Sequence, residues 1–266
     1  MQKTDQEKDV QILEKHFIDL SRAAYQRDII TYSDFLNLNE QNILHMLPKD
    51  RLYTRVVSFG GFSLAERQMA AFIPEALYLR CGKKDLTPEE IEYPFSLLKI
   101  APLNRKFAEE LSHRDYLGAM LNLGITRAKT GDILCRKEDA LVFVHRDMTP
   151  LMIDELTRVR HTSVRVSEIF LPDFHYTPEY EEIRGTVASV RLDSLLALAF
   201  SSSRSKLTGL IEGAKVYVNG KLVTSNGYEP KEGDIVSVRG MGKFRYEGAG
   251  ARTRKNRISV VLKRYA

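Results

Sequence analysis

Cysteine is almost missing from this sequence: Cys81 and Cys135 are the only two, and they stand outside any CxxC spacing. That count and spacing exclude a disulfide framework and a zinc knuckle, and two reduced, semi-buried thiols are expected. The six histidines (His16, His45, His113, His145, His161 and His175) include no i, i+4 pair and none lies beside a cysteine, so no metal site or cofactor is expected. No apolar run approaches the roughly 20 residues of a bilayer span, and residues 1–8 hold no apolar core of the secretory kind. The expected location is the cytoplasm. G-x-S-x-G elbows and P-loops are also missing, which removes two large enzyme classes. Glycine (16) and proline (9) are ordinary for 266 residues, so disordered and collagen-like compositions are excluded; 43% hydrophobic residues can fill two or three cores.

Acidic charge is scarce only at one end. Residues 185–266 hold fifteen Lys/Arg and six Asp/Glu, a net of +9, whereas the whole chain is +5, so the preceding part is −4. Attraction to a polyanion, nucleic acid or an anionic membrane face, is therefore localised in the last third.

Apolar periodicity predicts a helix over residues 7–24 (Val10, Leu13, Phe17, Leu20) and a shorter one carrying Ile43, Leu44 and Leu47 up to Pro48. A strand is expected from Leu52 to Phe59, stopped by Gly60-Gly61. Ser63-Leu64-Ala65-Glu66 has capping-box spacing and predicts a helix through Phe72, followed by strand-like segments at 76–79 and 95–101. Ser112 to Asp115 repeats the capping spacing ahead of a helix ending at Gly124. A hairpin (133–136 with 140–144), a helix opened by Thr149-Pro150 to about Arg160, and a strand at 164–169 complete an α+β pattern. This pattern suggests a mixed N-terminal region (1–75), an RRM-like, ferredoxin-like central domain (76–171) and a linker (172–184). Residues 185–247 read as two short helices, a hairpin turning on Asn219-Gly220 and a further strand, with a basic tail over 248–266. Gly213 and Gly233 are read as turn-formers.

Arg204 and Lys206 fall in the first turn of the second of these helices, where free N–H groups and the helix dipole favour an anion. Lys215, Lys221 and Arg239 come from the sheet edge, while Lys243 and Arg245 lie just beyond, interleaved with Phe244, Tyr246 and Tyr265, which are expected to stack on unpaired bases. Arg191 opens the first helix.

Arg191-Leu192-Asp193, Ser203-Arg204-Ser205-Lys206, Ile211-Glu212-Gly213, Val216 to Lys221 and Glu232 to Arg239 together resemble the S-four domain, an RNA-binding module named after a ribosomal small-subunit protein. Phe59-Gly60-Gly61-Phe62, His113 to Gly118, Leu123 to Ile133 and Arg239 to Phe244 extend the likeness over most of the chain, which resembles the bacterial YlmH family. The resemblance implies an RRM-like domain before the S-four unit. It also implies binding to ribosomal RNA or tRNA, a place on the large ribosomal subunit in rescue or quality control, and ties to division proteins. Carried over by position, it marks Arg191 and Arg204, with Lys206 beside them, as RNA contacts. Asp193 either touches RNA or braces Arg191 or the helix start.

Arg191-Leu192-Asp193 also spells the tripeptide of pseudouridine synthases, but the hairpin pattern that follows leaves no room for their catalytic domain. His113-Arg114-Asp115 and His145-Arg146-Asp147 spell the kinase tripeptide without its asparagine, glycine loop or Asp-Phe-Gly. A non-catalytic RNA-binding protein is the expectation. Its rivals are an RNA-modifying enzyme built on His113, Asp115, His145 and Asp147, and a division-site scaffold that lays the basic tail on anionic membrane.

Overall fold

A computed structural model describes residues 5–82 and 85–265 of the chain, which divide into two compact units meeting at Tyr176/Thr177. The first unit opens with α1 (Asp5–Arg27), β1 (Thr31–Tyr32), α2 (Leu38–Met46), β2 (Arg55–Phe59), β3 (Met69–Ile73) and α3 (Glu75–Cys81). Phe17 and Ala24 of α1 are buried against Leu44 of α2 and Phe72 of β3. A reciprocal cap starts α2: Asn37 Oδ1 accepts from the N–H of Asn39 and Glu40, and the Glu40 carboxylate accepts from Asn37 N–H at 2.7 Å.

Two expectations fail in this stretch. Residues 63–72 form a loop and then β3, the middle strand of the sheet β1-β3-β2, instead of a helix. The Glu66 N–H that a Ser63 cap would have satisfied is taken by the Asp132 carboxylate at 2.7 Å, and Arg67 N–H by its other oxygen at 3.0 Å. Residues 76–79, read as a strand, belong to α3. Ala, Leu and Tyr are tolerated in a helix, Pro74 stands at its N-cap, and Gly82 closes it at φ 63°, so the flanking residues decide the state.

The rest of this unit contains β4 (Phe95–Pro102), α4 (His113–Asn122), β5 (Thr130–Cys135), β6 (Ala140–His145), α5 (Thr149–Glu155), β7 (Arg158–Val159) and β8 (Thr162–Ile169). Its sheet runs β5-β6-β4-β8-β7, with antiparallel pairing throughout. Apart from the two-residue β7, this is the strand order of a βαββαβ ferredoxin-like unit. The fold class is α+β. Ser112 and Asp115 form the expected capping box on α4. Thr149 does not cap α5: it is already helical, and its Oγ1 is buried without a partner. The helix ends at Glu155, short of Arg160, because a tight hairpin with Arg160 at φ 52° begins there.

Alternation divides the residues of this sheet between two faces. Leu98, Ile100, Val142, Val144, Val164 and Val166 pack with Tyr116 and Met120 of α4 and Met152 of α5. Phe95 and Phe143 project from the other face, where Phe35 and Phe59 cover Phe95, and Phe62 and Phe174 cover Phe143, at ring distances of 5.6–6.3 Å. Gly61 (φ 95°) passes so close to Phe143 that a Cβ there would lie 2.1 Å from the ring. Arg67 fastens the same layers: its guanidinium donates to the carbonyls of Thr130, Phe35 and Arg127 at 2.7, 3.0 and 2.7 Å. The N-terminal region and central domain, separated in the sequence reading, thus share one unit.

The second unit comprises β9 (Tyr180–Val187), α6 (Leu192–Ala199), α7 (Arg204–Glu212), β10 (Val216–Val218), β11 (Lys221–Leu222), β12 (Ile235–Val238), β13 (Gly242–Arg252) and β14 (Ile258–Tyr265). One antiparallel sheet, β11-β10-β12-β13-β14-β9, carries α6 and α7 on one face, over Val216, Val236, Phe244, Val260 and Leu262. Residues 180–184, expected in the linker, are therefore strand, and so are most of residues 248–265, expected as a tail. Charge counting hid the apolar alternation of Ile258, Val260 and Leu262, which pins β14 between β13 and β9. Asn219 and Gly220 take positive φ (48° and 76°), as their turn requires. Gly233 also has positive φ (88°), but the left-handed position after α7 belongs to Ala214; Gly213 is needed because a Cβ would meet Gly209 O at 2.7 Å.

Candidate nucleic-acid interface

The expected site residues all lie in the second unit, divided between two faces of its sheet. Arg191 is the N-cap residue of α6. Its Nε–H donates to Asp193 Oδ1 at 3.2 Å, and Asp193 is itself nearly buried, the contact expected of a carboxylate that braces Arg191. The loop at Asn226–Tyr228 supports the same turn, since Tyr228 O accepts from Leu192 N–H at 2.8 Å. Arg204 is the first residue of α7; its side chain lies outside the described residues. Ser203 precedes it, its hydroxyl lying 3.3 Å from that of Ser205 and making no cap bond to the first N–H groups of α7. Lys206 is exposed in this first turn.

Lys215 and Arg239 come together: Arg239 N–H donates to Lys215 O at 2.9 Å, and both side chains are exposed. Lys221 is exposed on edge strand β11, paired with Val218. Among the described residues Lys206, Lys215, Lys221 and Arg239 have no ion-pair partner. Lys206 in the first turn of α7, and Lys215, Lys221 and Arg239 beyond its C-terminal end and on the sheet, give this unit four exposed cations suited to phosphates.

Lys243 and Arg245 are elsewhere. Phe244 and Tyr246 face the helices, so alternation puts Lys243 and Arg245 on the opposite side of the sheet. Arg245 and Lys263 both bind the Glu247 carboxylate, Lys263 at 3.2 Å. Their hydrogen bonds to Glu247 raise both cations' pKa values, and the Arg245 bond lowers that of Glu247. This triad is a structural ion network, so Arg245 is a weaker candidate than its charge suggested. The stacking role expected for Phe244, Tyr246 and Tyr265 is overturned, because all three are buried in the packed sheet (0%, 4% and 7% exposed).

The sequence reading gave the basic tail over 248–266 a share of the RNA contact without singling out residues of the turn between β13 and β14. Arg252, Arg254, Lys255 and Arg257 crowd it, all exposed, with Asn256 in the left-handed region at φ 57°. Arg252 is tied to Asn256 and Arg257 to Thr186, which leaves Arg254 and Lys255 unpaired among the described residues. Asn256, read as a turn residue between two alternating runs, is the signal that could have found this tip.

The residues of the enzyme reading do not converge. Asp115 caps α4 through Ser112, which lowers its pKa, and lies 3.6 Å from Arg160. His145 ends β6 at the other end of the sheet, with Nδ1 accepting from Asp147 N–H at 3.3 Å. The length of β6, roughly 16 Å, separates the two pairs. No cluster able to hold a metal and no helix long and apolar enough to cross a membrane occurs among the described residues. Cys135 is exposed, contrary to the semi-buried expectation, and the Cys81 side chain lies outside the described residues.

Comparison with known proteins shows the family. A family model described as a putative RNA-binding domain in YlmH matches residues 88–173, and the S4 domain model matches 190–236. The ribosome-associated protein quality control protein P2 of Bacillus subtilis (strain 168) is 30% identical over 259 residues, covering 94% of this chain and 95% of the relative. The chain belongs to the YlmH family. A solved structure titled cell division protein ylmH from Streptococcus pneumoniae is similar at 23% identity over 65% of this chain and 96% of that one, with a TM-score of 0.49. In this YlmH-family chain the S4 match contains Arg191, Arg204, Lys206, Lys215 and Lys221, and ends before Arg239, Lys243 and Arg245. The YlmH-domain match contains the ferredoxin-like sheet. There the aromatic pair Phe95 and Phe143, placed on the strands where RRM domains stack bases, is covered by the protein's own rings.

Proposed function

We propose that this YlmH-family chain is a cytoplasmic, non-catalytic RNA-binding protein that docks on ribosomal RNA, tRNA or both, on the large ribosomal subunit, during ribosome rescue or translation quality control. The observation that carries the reading is the group of exposed cations without ion pairs, Lys206, Lys215, Lys221 and Arg239, gathered on the unit that matches the S4 domain. The name of the Bacillus relative supports the ribosomal setting. Docking needs no chemistry beyond charge and shape. Arg191, held by Asp193, presents a guanidinium of fixed orientation, while the uncapped start of α7 with Arg204 and Lys206 takes a phosphate. Lys215, Lys221 and Arg239 extend the contact along the backbone, and Lys243 and Arg245 serve a separate contact on the other face of the sheet.

Co-sedimentation of the full chain with large ribosomal subunits tests the reading. The Arg191→Ala/Arg204→Ala variant is expected to stay in the supernatant with its circular dichroism unchanged. Pelleting equal to that of the parent overturns the assignment.

A further inference from the structure

In the first unit, a cavity of about 1080 Å³ opens at the end of the ferredoxin-like sheet where β4 begins and β8 ends. Its floor is apolar and stiff. Phe59, Tyr93 and Phe95 form a ring series at 5.6–6.3 Å, and Tyr93 is fixed by its hydroxyl, which donates to Val57 O at 2.8 Å. Burial pushes the Tyr93 phenol far above the ordinary tyrosine range, so it stays a neutral donor. At the rim, Phe170 is 70% exposed, an uncommon position for a phenylalanine beside a half-open apolar cavity.

The charge around this floor is mostly negative. Glu89, Glu90, Glu92 and Glu168 line the cavity. Arg146 faces them but is spent on Glu92, both of its Nη groups donating to one carboxylate oxygen at 3.1 Å. Glu89 and Glu168 are exposed and have no ion pair among the described residues. RNA is a poor occupant, because its phosphates would meet unpaired carboxylates over a floor that offers no free guanidinium or ammonium. The volume also exceeds the ~300–1,000 Å³ that small ligands usually fill.

We infer that this groove is a docking site for a polypeptide segment rich in Lys/Arg and carrying an aromatic or large aliphatic anchor. The anchor seats on Phe59 and the exposed Phe170, with the buried rings of Tyr93 and Phe95 packed behind Phe59, and the flanking cations meet Glu89 and Glu168. Recognition follows from complementarity of charge at the rim and of apolar surface at the floor. The preformed ring series lowers the ordering cost of binding. The YlmH-family chain then has two binding surfaces of opposite sign: cations on the S4-bearing unit for RNA, carboxylates on the ferredoxin-like unit for a basic protein. The second does not rest on the first.

Fluorescence anisotropy with the full chain tests the inference. The probe is a fluorescein-labelled twelve-residue peptide alternating Lys/Arg with Phe/Leu. Two comparison peptides replace Phe/Leu by Ser or Lys/Arg by Glu. The basic apolar peptide is expected to bind, at least tenfold more tightly than either comparison. Glu89→Lys/Glu168→Lys should weaken it at least tenfold and Phe170→Ser several-fold, while the circular dichroism and urea unfolding of both variants stay at the parent level, which reports that they fold. The inference is overturned by absence of binding at millimolar peptide, by equal binding to the charge-reversed variant, by equal binding of the Ser peptide, or by an ultraviolet crosslink from a photoreactive residue at position 170 to RNA instead of the peptide.

Discussion

Asp193 Oδ1 accepts the Arg191 Nε–H at 3.2 Å, two residues along the chain, with the carboxylate side chain 13% exposed and the guanidinium side chain 45% exposed. One edge of the guanidinium is thus occupied and the remainder of this YlmH-family side chain stays accessible.

That arrangement makes a prediction of unexpected sign. Asp193→Asn removes a negative charge from a surface proposed to bind RNA, and simple electrostatics predicts tighter binding. If Asp193 acts by holding Arg191, the substitution instead weakens binding to a large-subunit RNA fragment, by roughly three- to tenfold, the loss of one charge-assisted hydrogen bond of about 1 kcal/mol. Filter binding at fixed salt reads the direction. Tighter binding removes the bracing role.

Salt sensitivity gives an independent count of phosphates. Lys206, Lys215, Lys221 and Arg239 alone should contribute about −3 to the slope of log affinity against log salt, from roughly 0.7–0.9 per contact. Lys215→Ala/Arg239→Ala should reduce its magnitude by about 1.5. Arg245→Ala should reduce it by less than one full contact, because Glu247 already neutralises part of that cation's charge. A slope near zero argues against a phosphate-binding surface.

Arg67 closes the layers of the first unit through three carbonyls, and burial lowers its pKa against the opposing pull of Glu40 and Asp132. Arg67→Met keeps much of the side-chain volume but leaves those acceptors unpaired, at a cost on the order of 3 kcal/mol in urea unfolding. Gly61→Ala should cost a similar amount, since the new methyl group meets the Phe143 ring at a positive φ.

Asp139 supplies a pH test. Burial alone would raise its pKa, but hydrogen bonds from Arg136 Nε at 2.6 Å and Lys99 Nζ at 3.3 Å outweigh this and hold the carboxyl below its ordinary range. A depressed folded pKa contributes stability that is complete above the unfolded carboxyl pKa and is lost as pH falls through the folded value. Asp139→Asn should therefore unfold more readily than the parent at neutral pH, with the gap narrowing as pH falls below about 4. A gap that persists at pH 2 would mean that the ion pairs do not cause it.

Much of this architecture was legible because local and tertiary preferences agree. The α1 stripe, the Ser112 box and the Asn219-Gly220 hairpin each satisfy their own backbone groups near in sequence. The failures share one cause, a partner distant in sequence. Asp132 takes the N–H groups around Glu66 and dissolves an expected helix, while β9 recruits residues expected to be a tail into a sheet. The site followed the same pattern. Periodicity placed the cations of α7 correctly, but the separation of Lys243 and Arg245 onto another face required knowing which way Phe244 points, and the Glu247 network required the pairing of β13 with β14. The acidic groove gave no signal, since Glu89, Glu168 and Phe170 meet only after β4 and β8 pair.

Strand β14 fills the gap between β13 and β9, and its partner β9 precedes it by about seventy residues. During synthesis, β9 and β13 therefore each wait with an open edge until residues 258–265 have emerged from the ribosome. A copy interrupted before Ile258 carries two unsatisfied strand edges, the kind of surface that aggregates or is degraded. Residues 258–265 pair both of those edges at once, and among the described residues the finished sheet keeps open edges only at β11 and at the outer side of β9.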